Sequence, residues 1–371
     1  MKKLCCLLLL ALLMPLLAGA ESLPVLRLDA PVLDYVAVRE GRLTVGAFSS
    51  PVTLKYRGSY SVTFTGKRNY SLHLKTESGG QRKAALLGLR EDDDYVLLGG
   101  LSDLSRLRNA VGLELWRAMG HAAPACAACE LYFGDYYKGI YFLTERPDRK
   151  SAGVPREGAL YRVLAARVDG IDLFSAADPG APQADAWYNV GRVYGGWEPL
   201  RALIQSDSRS ALMDLEAFAD YYLYINLIGA TDNMKKNLYL GWDGARFFPM
   251  PWDLDAAFGR LYTAEPSDPA AWYTGPLLRA LEDDSAFQAL LRERWALHRD
   301  TLRPEAVMAR FEAWHDRLGD AWAREQARFP TYQDSSTGLR YDLDPQAELA
   351  YIRAYLTARC ELLNTRFGDG I

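Results

Sequence analysis

The dipeptide Asp243-Gly244, set between the short apolar runs Leu238 to Trp242 and Arg246 to Met250, constrains this chain more than any other feature. Asp-Gly between alternating apolar segments is a strong hairpin signal, because both central positions of the tight turn need positive φ. With Asp243 and Gly244 as the two turn residues, Trp242 faces Ala245, Leu238 faces Pro249 and Asn237 faces Met250. The fold-back then returns Pro251-Trp252-Asp253-Leu254-Asp255 to the loop Asp232-Asn233-Met234-Lys235-Lys236-Asn237. Asp253 follows Met250 by three residues, so at ~3.3 Å per residue its backbone stays within about 10 Å of the end of the ladder. Pro249 and Pro251 are expected to stop the pairing there. Asp232, Asn237, Asp253 and Asp255 are therefore expected to converge.

Three carboxylates and an amide gathered in this way suit phosphoryl transfer, which depends on positioning and charge neutralisation. Magnesium takes hard oxygen donors, commonly one or two carboxylates completed by phosphates and water. A separate carboxylate can orient or deprotonate the attacking hydroxyl. A lone Asp-x4-Asn spacing carries little, because an Asp in a loop is usually a turn former or a helix cap. The order helix, loop, hairpin, Trp-Asp-x-Asp carries more, and it is the order found in protein kinases.

The chain opens with Met-Lys-Lys, an apolar run from Leu4 to Leu17 and Ala18-Gly19-Ala20, the pattern of a cleavable secretory signal over residues 1–20. A membrane anchor is the alternative, but the run falls short of the ~20 residues a spanning helix needs, and no later stretch reaches that length. The net charge of −4 becomes more acidic once Lys2 and Lys3 leave, which weighs against a nucleic-acid partner. No feature specifies an oligomeric state. Cys126, Cys129 and Cys360 remain in the mature chain. With no second pair to complete a zinc site, Cys126-Ala-Ala-Cys129 reads as a structural disulfide or as two buried thiols. Cys360 falls on the apolar stripe Leu349, Ile352, Leu356, Leu363 of a helix and reads as a core thiol.

Alternating segments such as Tyr60 to Phe64 and Tyr70 to Thr76 predict a mostly antiparallel sheet from Pro24 to Thr76. A helix carrying Leu104, Leu107, Val111, Leu115 and Met119 is expected to follow, capped by Ser102 or Ser105. The pair Glu130 to Phe133 and Gly139 to Glu145, joined through Gly134-Asp135, is expected to complete an N-terminal β-rich lobe over residues 21–149. Residues 150–205 read as a connection with surface loops and one short strand, Ala159 to Leu164. Helices are expected at Leu212 to Ile228, Glu305 to Arg328 and Pro345 to Arg366, so residues 150–371 form a largely helical lobe holding the hairpin. Asp342-Leu343-Asp344-Pro345 looks like a metal motif, but Asp344 before Pro345 is a good helix cap. Glu91-Asp92-Asp93-Asp94 reads as a solvated turn, and the four histidines show no metal-ligand spacing.

The sequence resembles the CotH kinase family of atypical protein kinases across most of the mature chain. The resemblance rests on Arg68-Asn69-Tyr70-Ser71-Leu72-His73-Leu74-Lys75, on Leu107-Arg108-Asn109-Ala110, and on Gly139-Ile140-Tyr141-Phe142-Leu143-Thr144-Glu145. Thr231-Asp232, Asn237-Leu238-Tyr239-Leu240 and, most specifically, Pro251-Trp252-Asp253-Leu254-Asp255-Ala256-Ala257-Phe258-Gly259 complete it. It implies an α+β, bilobal, kinase-like fold, ATP with magnesium or manganese, and transfer to Ser or Thr hydroxyls of a protein substrate. By position, Asp232 resembles the catalytic Asp, Asn237 a metal-supporting amide and Asp253 the metal ligand, a role that Asp255 shares or replaces. Lys75 resembles the phosphate-pairing lysine, with Glu114 as its partner, Arg108 as a rival basic group and Glu145 near the adenine. No glycine-rich phosphate loop is visible, since Gly58 and Gly66 are too far apart. Two other classes stay open: a catalytically silent envelope protein that keeps the fold as a binding module, and a metal-dependent hydrolase using the same Asp cluster.

Overall fold

The computed structural model of the chain describes residues 22–31, 37–58, 67–163, 190–234, 236–275 and 278–368. The expected signal at 1–20, the expected strand Tyr60 to Phe64 and Gly66 lie outside the described residues. The architecture is mixed α/β.

Seven strands close into a barrel: β1 (Val25–Asp29), β2 (Arg39–Val45), β3 (Phe48–Arg57), β4 (Asn69–Leu74), β5 (Asp94–Leu98), β6 (Cys126–Phe133) and β7 (Tyr136–Glu145). Their order is β1-β2-β3-β4-β5-β7-β6. All neighbours are antiparallel except β1 and β6, which run parallel and close the ring. Closure removes the free edges that an open antiparallel sheet would leave. Alternation sorts the side chains. On β5 and β7, Tyr95, Leu97, Tyr141 and Leu143 fill the barrel, while Val96, Leu98, Ile140 and Phe142 face outward into the larger helical core. Cys126 and Cys129 stand three apart on β6 and so point to opposite faces. Both are free thiols, and burial pushes each up to about 12. The disulfide reading is therefore replaced by that of two thiols.

The helix α1 (Arg108–Ala118) starts later than expected. Arg106 adopts φ 60° and breaks the run, so Leu104 leaves the helical stripe and packs with Ala264 and Tyr332. The cap position is Leu107 rather than Ser102 or Ser105 and offers no side-chain bond; the Arg108 N–H donates instead to the more distant Asp103 carboxylate at 2.8 Å.

Beyond the barrel, β8 (Ala159–Val163), β9 (Val190–Tyr194), β10 (Leu238–Trp242) and β11 (Phe247–Pro251) form a sheet in the order β11-β10-β8-β9. The described part of residues 150–205 is thus more ordered than expected, with two strands and the helix α2 (Glu198–Gln205). Helix α3 (Leu215–Ile228) is buried on every face from Ala217 onward, as befits a central core helix. Asp214 caps it by accepting from Ala217 N at 3.1 Å. Gly229 ends it at φ 62°, where a Cβ would lie 1.9 Å from the Tyr355 hydroxyl. Of the helices α4 (Ser285–Leu302), α5 (Pro304–Leu318), α6 (Ala321–Arg328) and α7 (Pro345–Phe367), α4 and α7 pack on α3, α5 packs on those two, and α6 packs on β7 of the barrel. The single helix expected over Glu305 to Arg328 is two, broken at Gly319, whose φ 46° and ψ −130° no helix continues. Asp344 caps α7 as expected, accepting from Gln346 and Ala347 N. No helix among the described residues is long and apolar enough to cross a membrane.

Candidate active site

The hairpin forms with a register two residues from the expected one. Leu238 pairs with Pro251, Tyr239 with Met250 and Trp242 with Phe247, leaving a four-residue turn at 243–246. The Asp243 carboxylate decides this, because it accepts from both Ala245 N at 2.7 Å and Arg246 N at 2.8 Å. An Asx turn therefore displaces the two-residue one. The prolines do not stop the ladder either. They sit on the edge strand β11, where a missing N–H leaves no partner unpaired, and Trp252 N still donates to Asn237 O at 2.9 Å. The corrected register sets Asp253 directly beyond the pair Asn237 and Trp252.

Both ends of that pair are held from within. The buried Asn233 amide donates to Asn237 O at 2.9 Å and to Trp252 O at 2.8 Å, clipping the loop onto the returning strand. Asn237 and Asp253 both adopt left-handed backbone, at φ 57° and 60°. Such conformations are sparsely populated outside glycine and concentrate at functional sites. Leu254 N donates to Asn109 Oδ1 of α1 at 2.7 Å. The lack of a side chain at Gly112 lets α1 approach, for a Cβ there would lie 2.6 Å from Leu254 Cδ1. Asp232 lies close by and pairs with Lys236 at 2.8 Å.

Electrostatics bind Asp232, Asp253 and Asp255 into one unit. Burial raises the Asp253 carboxyl above its usual range and Asp232 adds to this, against the pull of Arg57, Arg162 and Lys236. Burial pushes Asp255 up to about 8, reinforced by the charges of Asp253, Asp103 and Asp232. Half-buried carboxylates set against one another in this way fit a divalent cation, which would hold them ionised. Among the described residues no three acidic, histidine or cysteine side chains could enclose a metal by themselves. The donors available are Asp253, Asp255 and the Asn237 amide, a set that suits magnesium completed by phosphate and water.

A carboxyl whose folded pKa lies above its unfolded one favours the folded chain at low pH, and that contribution is lost as pH rises. For Asp255 the window runs from about pH 4 to about pH 8, and each unit of pH within it lowers stability by up to about 1.4 kcal/mol. The melting temperature is expected to decline across pH 5 to 8 without divalent cation, and to decline less with saturating magnesium or in Asp255→Asn. Identical pH profiles for parent and variant would refute this account of the carboxylate.

Four other expected site residues are placed elsewhere or are occupied. Lys75 lies beyond the far end of β4, where its N–H donates to Pro51 O at 2.8 Å. The opposite end begins at Asn69, whose partner Arg57 has its guanidinium carbon 5.4 Å from the Trp252 ring centroid. Six residues of strand, roughly 20 Å, separate the two ends, so Lys75 does not join the cluster. Glu114 accepts from Trp314 Nε1 at 2.8 Å and faces Arg310 at 3.6 Å rather than Lys75. Arg108 is fully buried and forms ion pairs with Asp103 at 2.7 Å and Glu348 at 2.5 Å. Its bonds to Ala257 O at 2.8 Å and Phe258 O at 3.3 Å anchor the Asp-rich segment instead of meeting a ligand. Glu145 accepts from Arg90 N and Ala125 N, each at 3.1 Å, as a buried structural acid.

A buried lysine–glutamate pair does exist, between Lys67 and Glu325 of α6, shared with Arg106 at 2.7 Å. Burial pushes the Lys67 ammonium down to about 7 against the opposing charge of Glu325. Sequence reasoning missed it because 258 residues separate the partners. Asn233 and Asn109 were also missed, although both stand inside the quoted motifs. Arg57 and Arg162 carried no motif signal.

A family model described as CotH kinase protein matches residues 54–363. That match defines a kinase-like protein. The chain belongs to the CotH kinase protein family. The search of curated proteins gave no match. Among solved structures, the Helicobacter pylori proinflammatory kinase CtkA aligns at TM-score 0.28 and 8% identity, covering 81% of this chain and 91% of that one. HipA in the Shewanella oneidensis MR-1 HipA, HipB and operator DNA complex aligns at TM-score 0.28 and 13% identity, covering 85% of this chain and 69% of that one. Likeness at that TM-score decides nothing about fold or activity.

Proposed function

We propose that this chain is an exported, bilobal protein kinase that transfers the γ-phosphoryl group of ATP to Ser or Thr hydroxyls of a protein substrate, using magnesium or manganese. The supporting observation is the bond from Trp252 N to Asn237 O at 2.9 Å, which sets Asp253 beside the Asn237 loop with Asp232 in electrostatic range. The lobes are residues 21–149, built on the barrel, and 150–371, built on the helices and the hairpin sheet, with removal of residues 1–20 on export. In the division of roles, Asp232 accepts the proton of the attacking hydroxyl or orients it. Lys236 holds that carboxylate in place. Asp253, Asp255 and Asn237 hold the cation, whose chemistry is neutralisation of phosphate charge.

Two measurements on the purified chain test this. ATP with magnesium or manganese is expected to raise the melting temperature, by linkage, where ATP without metal does not. Labelled phosphate from γ-labelled ATP is expected on the chain itself or on a casein acceptor, stable to acid and to hydroxylamine but released by alkali, as Ser and Thr phosphates are. Metal-dependent release of phosphate from phosphomonoesters without ATP would instead indicate a hydrolase. Absence of both nucleotide binding and transfer would leave the binding-module reading standing and end this one.

A further inference from the structure

The carboxylate proposed to take the hydroxyl proton, Asp232, belongs to an irregular loop, yet general base action needs it within hydrogen-bond reach of the acceptor. A misplacement of about 1 Å costs on the order of 10²-fold in rate. Packing alone does not fix this loop. Beneath it lies a small apolar cavity bordered by Phe218, Tyr221, Met234, Leu238, Gly275 and Leu278, and side chains that line a void lack partner atoms on one side.

Two contacts take the place of that packing. From α3, the buried Tyr221 hydroxyl donates to Asn233 O at 2.6 Å, one residue from Asp232. The partners are 12 residues apart in sequence, so the loop folds back along the helix that precedes it. From the other side, Gly275 stands against the loop backbone, where a Cβ would lie 2.2 Å from Met234 O. A backbone carbonyl does not swing aside as a side-chain tip does, so position 275 takes glycine or the loop moves.

Gly275 is itself held. The chain before it leaves the Asp-rich segment at Gly259, whose O accepts from Ser267 N at 2.8 Å, and is fastened to α3 and α7 before it returns. The wholly buried Asn226 of α3 donates to Tyr273 O at 3.0 Å and accepts from Tyr273 N at 2.9 Å. This is the reciprocal pairing that one strand makes with another. The buried Arg359 of α7 donates to Pro269 O at 2.9 Å, to Ala271 O and to Asn226 O. Trp272 Nε1 donates to the Tyr222 hydroxyl of α3 at 2.7 Å. With residues 269–273 fixed at these points, Gly275 meets Met234 as a stop.

We propose that Tyr221 and Gly275 are positioning residues for Asp232. Tyr221 draws the loop down onto α3, and Gly275, pinned through Asn226 and Arg359, stops it at Met234, which together set the height of the Asp232 carboxylate. The inference rests on the kinase reading and adds that the proton-accepting side of the site is preset by the fold before any ligand arrives. The stretch from Asp253 to Ala257 is held separately, by Asn109 and Arg108 of α1. Loosening the loop is therefore expected to slow transfer more than it weakens nucleotide binding.

Steady-state transfer, melting shifts with magnesium ATP, and amide exchange of peptides covering residues 229–237 test this on the purified chain. Tyr221→Phe keeps the ring and its edge contact with Trp116 and loses the bond to the loop. It is expected to lower kcat roughly 10-fold and to speed exchange in the loop without any ligand, with the KM for ATP and the melting shift near their parent values. Gly275→Ala is expected to lower kcat roughly 10²-fold with the same sparing of binding. Tyr95→Phe removes a matched bond inside the barrel, from a buried tyrosine to Ala84 O at 2.6 Å, and is expected to leave kcat and loop exchange unchanged. On an Asp232→Asn background neither Tyr221→Phe nor Gly275→Ala is expected to slow the residual transfer by more than about twofold, because a residue that acts through Asp232 has nothing left to position. If Gly275→Ala does not fold, Tyr221→Phe decides alone. Parent kcat and parent loop exchange in Tyr221→Phe overturn the inference and leave the kinase reading intact. So does a comparable fall in Tyr95→Phe, an undiminished fall beside Asp232→Asn, or a loss of nucleotide binding that matches the loss of kcat. A parent chain that transfers no phosphate overturns the kinase reading and this inference with it.

Discussion

Asp232→Asn is expected to lower phosphoryl transfer by roughly 10²- to 10⁴-fold while magnesium ATP still raises the melting temperature nearly as much as in the parent. The substitution keeps the size and hydrogen-bonding shape of the side chain but removes the charge proposed to accept or orient the hydroxyl proton. It also deprives Lys236 of its carboxylate partner at 2.8 Å, so the lysine becomes an unpaired cation beside Asp253 and does not weaken nucleotide binding. Asp253→Asn is expected to behave in the opposite sense. Losing a proposed metal donor is expected to weaken binding itself, so that both the melting shift and the transfer fall. The contrast between the two variants separates the roles, and a label-transfer assay run beside thermal melts reads both. Two variants that phosphorylate casein as fast as the parent would show that neither aspartate does what its position suggests.

The largest effect on stability is expected from Arg108→Met. The Arg108 guanidinium is wholly buried and satisfies Asp103, Glu348, Ala257 O and Phe258 O at once. Burial works against the charge of Glu348, yet Arg108 and Arg260 hold its carboxyl below the usual range. Methionine fills similar space but leaves two carboxylates facing a vacated site, which costs roughly 3–5 kcal/mol. Against a typical total of about 5–15 kcal/mol, that is enough to leave much of the chain unfolded near physiological temperature. Urea titration should show the loss, and Glu348→Gln added to Arg108→Met should recover part of it, because the cost lies in the abandoned charges. A midpoint for Arg108→Met equal to that of the parent would mean that the buried network contributes nothing net.

The grouping of Asp232, Asn237, Asp253 and Asp255 was legible because they are close in sequence and tied by a local device. Even a hairpin register wrong by two residues brought them together, since the distance from Asn237 to Asp253 is limited by chain length whichever turn forms. The same logic failed for Lys75. The strand was read correctly but ends at Leu74, one residue before Lys75, and which end of a strand faces the cleft depends on how the barrel is set against the rest of the chain. The stripe Leu349, Ile352, Leu356, Cys360 and Leu363 was equally legible, and all five are buried. Glu348 and Arg359, buried on that helix as well, were not singled out, although a charge beside an apolar stripe signals a partner elsewhere. For Glu348 the partners are Arg108 and Arg260, and for Arg359 one is the backbone carbonyl of Asn226.

By itself the sequence determined a β-rich N-terminal part, the central helix ended by Gly229, the long last helix capped by Asp344, and the nearness of Asp232, Asp253 and Asp255 at the hairpin base. All of these follow from periodicity, caps and chain connectivity, which act over a few residues. Barrel closure through the parallel pairing of β1 with β6, the break at Gly319 that turns Glu325 toward Lys67, and the bond from Leu254 N to Asn109 of α1 were decided only by the tertiary structure. Each depends on groups that lie roughly a hundred or more residues apart, and nothing in local propensity or spacing records which of many possible long-range partners a buried charge or strand edge will take.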